Sequence, residues 1–165
     1  MKQLFFMLAA VAIFIAAVGL LTQKVKEGKI QIITKPQTTK KEIKIADVKV
    51  SVEVANSEEL RKKGLDGRIS LEENEGMLFV FDKKDVFPSF WMKDMKFPID
   101  IIWINDGKVA EIDRNVQPPA VGTNSGQLTL YRPDKPVDYV LEVKSGFSDK
   151  NGVKVGDSVD LSSIL

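Results

Sequence analysis

The stretch GMLFVFDKKDVFPSFWMKDMKFPIDIIWINDGKVAE (Gly76–Glu111) holds the densest apolar runs of the chain outside its N-terminus, so the fold must be built around it. It reads as four strands. Gly76–Phe81 is an unbroken apolar run, the pattern of a strand covered on both faces. Phe90–Met95 and Ile99–Ile104 read as two more hydrophobic strands, each interrupted by ions, and Asn105-Asp106-Gly107-Lys108 turns the chain into the fourth. Asp-Gly between apolar runs is a strong hairpin signal, because both central residues of a type I′ turn need positive φ.

A two-residue loop at Asp106-Gly107 sets Ile104 opposite Val109, Trp103 opposite Ala110, Ile102 opposite Glu111 and Asp100 opposite Asp113. Side chains alternate between faces. In that register one face is core, with Ile99, Ile101, Trp103, Ala110 and Ile112, while the other ends in the carboxylates of Asp100, Glu111 and Asp113. Opposed like charges destabilise a strand pair by about 0.2–1 kcal/mol. The cluster therefore calls for a cationic partner, a shifted pKa or a slipped register.

Residues 3–21 (QLFFMLAAVAIFIAAVGLL) carry no charge after Lys2 and are long enough to cross a hydrocarbon core about 30 Å thick. Residues 1–21 thus read as a transmembrane anchor or signal segment. The apolar run is longer than a cleaved signal's usual core of about 7–15 residues, which favours an anchor. Residues 22–41 form a basic linker with six lysines against one glutamate, whereas residues 42–165 carry 17 basic and 22 acidic residues. The lysine excess after the span favours a cytoplasmic C-terminus, but a span this close to the N-terminus is the usual form of an anchor whose long C-terminal part is exported. The expectation is a membrane-anchored, extracytoplasmic domain with the membrane, through residues 4–21, as its first partner.

Residues 42–165 are one domain by length. Val48–Ala55 alternates apolar and polar as a half-buried strand does, with a turn near Ala46-Asp47. Asn56 or Ser57 caps a short helix over Glu58–Gly64, whose acidic first turn, basic last turn and terminal glycine suit the helix dipole. Asn115–Pro136, with four prolines, reads as a long loop; strands return at Asp138–Val143 and Ser158–Leu161. The expected fold is mainly β (α+β): a compact mixed or antiparallel β-barrel or sandwich with one or two short helices, preceded by an N-terminal transmembrane helix.

Six ordered motifs carry a family resemblance: Gly76–Phe81, Phe90–Met95, Pro98–Ile102, Asn115–Pro119, Tyr139–Val143 and Val155–Asp157, with Glu59–Leu65 upstream. Together they resemble the domain of unknown function 192 family over nearly all of 45–161. The resemblance implies a β-rich, barrel-like domain, often behind a signal sequence or anchor, with no established activity.

The chemistry narrows by elimination. With no histidine and no cysteine, the chain has no Ser-His-Asp or Cys-His site and none of the usual zinc ligands. No phosphate-binding glycine loop is present, and an acidic domain argues against nucleic acid as a partner. No cofactor is expected beyond a divalent cation that carboxylate oxygens could take. The candidate ligand-binding residues are Arg61, Trp91, Lys93, Asp94, Asp100, Glu111 and Asp113, with Arg61 or Arg114 as counter-charges; no catalytic residue is assigned. The plainest reading of these ions is a salt-bridged, solvated hairpin end. Beside it stand a ligand- or partner-binding module tethered to the membrane, and a carboxylate- or divalent-metal-dependent enzyme at the membrane surface.

Overall fold

The computed structural model describes residues 40–164. The segment read as an anchor or signal (1–21), and the linker up to residue 39, lie outside the described residues. Among the described residues no helix is long and apolar enough to cross a membrane.

Seven strands follow one another as β1 (Lys41–Ile45), β2 (Val48–Ala55), β3 (Glu75–Val80), β4 (Ile99–Asn105), β5 (Lys108–Val116), β6 (Tyr139–Lys144) and β7 (Val159–Asp160). Two short helices are α1 (Glu58–Lys63) and α2 (Phe147–Lys150). The strands form one sheet in the order β5-β4-β6-β3-β2-β1-β7, antiparallel except for β2 and β3, which α1 joins as a parallel crossover. The two ends of the sheet nearly meet, because Val109 N–H reaches Asp157 O at 2.9 Å and Val159 N–H reaches Gly107 O at 2.8 Å. The result is a nearly closed, barrel-like sheet.

The alternation of side chains sorts the interior into two cores. One draws residues from every strand, including Ile43, Val50, Leu78, Ile104, Val109, Leu141 and Val159, and so fills the space the sheet encloses. The other lies on the outer side of β3, β4 and β6, where Met77, Phe79, Ile101, Trp103 and Val140 are covered by Leu65, Leu71, Met92 and Val137 from the loops. Those three central strands are therefore covered on both faces, which is why their sequences are almost wholly apolar, broken within by Asp100 in β4 and Glu142 in β6.

The loops are tied down by specific contacts. Two isolated bridges, Val86 with Val137 and Phe90 with Tyr131, join the 82–98 loop to the long 117–138 loop. The Asp138 carboxylate accepts from Asp85 N–H (3.1 Å) and Asp106 N–H (3.2 Å). Arg68 grips Glu53 with two 2.8 Å bonds, holding the loop after α1 against β2. Gly76 is required by close approach: a Cβ there would lie 2.7 Å from the Glu142 carbonyl oxygen.

Helix α1 forms as its caps dictate, with the Ser57 hydroxyl accepting from Leu60 N–H and Gly64 closing the end at positive φ. Two other expectations are corrected. Phe90–Met95 is not a strand: Asp94 has φ +58° and Met95 N–H turns back to Met92 O, so only Phe90 makes a sheet-like bridge. The hairpin turn itself is as expected, with positive φ at Asp106 and Gly107. Past Val109, however, the register shifts, and Trp103 pairs with Glu111, Ile102 with Ile112 and Ile101 with Asp113. Ala110 is the extra residue of a β-bulge.

Candidate functional site

That bulge separates the three hairpin carboxylates. A one-residue shift moves every later side chain to the opposite face, so Glu111 and Asp113 lie on the Trp103 side, opposite to Asp100. Each then finds a different partner. Asp113 accepts from Trp103 Nε1 at 2.9 Å, and Glu111 accepts from Asp134 N–H at 2.9 Å. Asp100 is buried and accepts three backbone bonds, from Asn115 N–H (3.0 Å), Gly146 N–H (3.2 Å) and Ser148 N–H (2.9 Å). It staples the end of β5 and the first turn of α2 to β4. Neither counter-charge meets this trio: Arg114 bonds Asp149, and Arg61 bonds Val80 O and Asp82. Among the described residues no group of three or more acidic side chains is placed to hold a metal ion.

The other four expected residues do converge. Arg61, Trp91, Lys93 and Asp94 line a cleft of about 730 Å³ between α1, the outer face of the sheet and the 88–95 loop. Its walls are half-buried Phe81, Pro88, Phe90 and Met95, and its rim is exposed and charged, with Glu58, Glu59, Lys62, Lys63 and Asp66 beside Lys93 and Asp94. Leu65, Phe79 and Glu142 are the buried residues of its lining. Phe90 is fixed by edge-to-face contacts with Phe79 (centroids 4.8 Å apart) and Trp103 (5.5 Å). Trp91, next to it, is 45% exposed and free to meet an incoming molecule.

Glu142 is the residue that sequence reasoning did not single out. It sits in mid-strand on β6, paired with Met77 of β3 and Ile101 of β4, and is only 6% exposed. No described donor reaches its carboxyl. Burial alone pushes its pKa up from 4.5 to about 8, so it carries a proton at neutral pH. The available signal was a single charge inside the otherwise apolar run Tyr139–Val143. Buried polar groups are nearly always hydrogen-bonded. A carboxyl on the lining of an aromatic cleft, with no donor among the described residues, is open to solvent or to an incoming partner, able to donate a proton or, once ionised, to accept donors.

Fold and site together define a barrel-like domain with a lateral, aromatic cleft over one buried acid. The chain belongs to the DUF192 family, described as an uncharacterized ACR, whose model matches residues 39–161. Two solved structures are similar. One, from Sinorhizobium meliloti 1021 and provisionally designated a transcription regulator, is 27% identical with a TM-score of 0.67 over 74% of this chain and 94% of its own. The other, a protein of unknown function from Novosphingobium aromaticivorans DSM 12444, is 28% identical with a TM-score of 0.65 over 73% of this chain and 84% of its own. No curated protein matches the chain.

Proposed function

We propose that this domain is a binding module that takes a small, partly apolar ligand into the cleft above Glu142. The carrying observation is that acid: buried, without a hydrogen-bond partner among the described residues, and part of the cleft lining. A second observation agrees with it. Motifs far apart in sequence, Glu59–Leu65, Gly76–Phe81, Phe90–Met95 and Tyr139–Val143, all contribute residues to the one cleft. Aromatic walls with few polar groups are the usual make-up of small-molecule sites. Trp91, Lys93, Asp94 and Arg61 are its contact residues in this reading, while Asp100, Glu111 and Asp113 support the frame. We also propose that the apolar segment 4–21 tethers the domain to a membrane, from its length and lack of charge.

Ligand-observed NMR against the full chain tests the cleft, with benzyl alcohol, benzylamine and phenylacetate as probes. At least one probe should receive saturation from the protein, and Trp91→Ala and Glu142→Gln should each weaken its binding by about tenfold. No binding of any probe at millimolar concentration, or binding indifferent to both substitutions, contradicts the proposal.

A further inference from the structure

The cleft's own chemistry selects one class of polar group. Asp100 and Asp138 receive backbone N–H donors, whereas no described residue donates to Glu142, so its carboxyl is left to bond solvent or an occupant of the cleft. Among the described residues no cation serves as its counter-ion. Arg61 is held by Val80 O at 2.8 Å and by Asp82, and Lys93 lies 3.9 Å from Asp94 at the rim. The walls, meanwhile, already favour positive charge: the Arg61 guanidinium sits 6.0 Å over the Phe81 ring. Aromatic faces attract cations through the ring quadrupole, most strongly at tryptophan, and Trp91 lies on the same cleft.

Resting on the cleft reading above, we propose that the ligand is a small organic amine, bound as its ammonium, with its nitrogen on Glu142 and its apolar part against Phe79, Phe90 and Trp91. The N–H groups of a primary or secondary ammonium supply the donors that the carboxylate lacks. In the empty cleft the only positive charge on Glu142 is a proton, and the ammonium replaces it. Binding then exchanges one cation for another: the protonated acid and the ammonium give the ion pair, and a proton leaves to solvent. An anionic ligand gains nothing from this exchange, since it would face the acid once ionised.

Calorimetry of the full chain with benzylamine and with benzyl alcohol, at about pH 6 and about pH 8, tests the inference. The benzylamine association constant should rise about fifty-fold between those two values as Glu142 (pKa about 8) ionises, with close to one proton released per amine at the lower pH. Benzyl alcohol should bind with an affinity that does not rise over this range, and about tenfold more weakly than the amine near pH 8. Glu142→Gln should abolish the rise while the alcohol still binds. Trp91→Ala, an exposed position that leaves the core intact, should weaken the amine about tenfold. Equal affinities for the two probes, or an amine affinity flat or falling with pH, overturns the amine inference and leaves the cleft reading standing. Absence of binding by either probe overturns both.

Discussion

Asp100 and Glu142 lie one residue pair apart on neighbouring strands, Asp100 opposite Val143 and Glu142 opposite Ile101. They are 1% and 6% exposed, so burial does not distinguish them. Their faces do. Asp100 points to the side where the end of β5, the turn after β6 and the first residues of α2 bring three N–H groups within 3.2 Å. Glu142 points to the outer face, where Met77 and Ile101 flank it and the cleft takes the place of donors. A carboxylate surrounded by backbone amides serves as a staple. One with none is raised in pKa and available to a ligand. Hydrogen-bond supply, more than depth, separates the structural acid from the one proposed to meet a ligand.

The comparison can be broken at either residue. Asp100→Ala should have the largest effect, a loss of about 4 kcal/mol in urea unfolding, because three N–H groups lose their acceptor together; Asp100→Asn, keeping one acceptor oxygen, should lose about half as much. Removal of the charge at Glu142 should act in the opposite direction. Its folded pKa lies above its unfolded value, so between 4.5 and about 8 the unfolded chain has lost a proton that the native state keeps. Stability from this group therefore falls as pH rises through that window, by at most about 1.4 kcal/mol per pH unit. Glu142→Gln has no such slope and should be more stable than the wild type near pH 8, with no gain near pH 4. A smaller change is expected at Gly76, whose missing side chain lets β3 lie close to the Glu142 carbonyl. Gly76→Ala should cost about 2 kcal/mol by overpacking and shift the amide resonance of Glu142.

Much of the fold was legible because the central strands are buried on both faces. Gly76–Phe81 reads as an unbroken apolar run, Ile99–Ile104 and Tyr139–Val143 as apolar runs with one charge each, and they became the core of β3, β4 and β6. Asp106-Gly107 and the Ser57 and Gly64 caps were equally plain, since turn and cap chemistry is local. The bulge at Ala110 was not, because neither neighbouring residue is a glycine or proline. Phe90–Met95 misled because Phe90 and Met92 are apolar and inward, as in a strand, while a positive φ at Asp94 and the bond from Met95 N–H to Met92 O turn the chain back. Half of the candidate site was readable, in that Arg61, Trp91, Lys93 and Asp94 share the cleft. Glu142 was hidden because Asp100 and Glu142 look alike in sequence, each one charge in an apolar strand. Only the tertiary fold decides which of them receives N–H donors.

The most direct test is the titration of the Glu142 side chain, followed through its carboxyl carbon by NMR in selectively labelled protein, with Glu142→Gln identifying the resonance. A midpoint near 8 is the expected result and makes Glu142 a protonated, unpartnered acid on the cleft. A midpoint near 4.5 would show a carboxylate already satisfied by the protein and would contradict the site built around it.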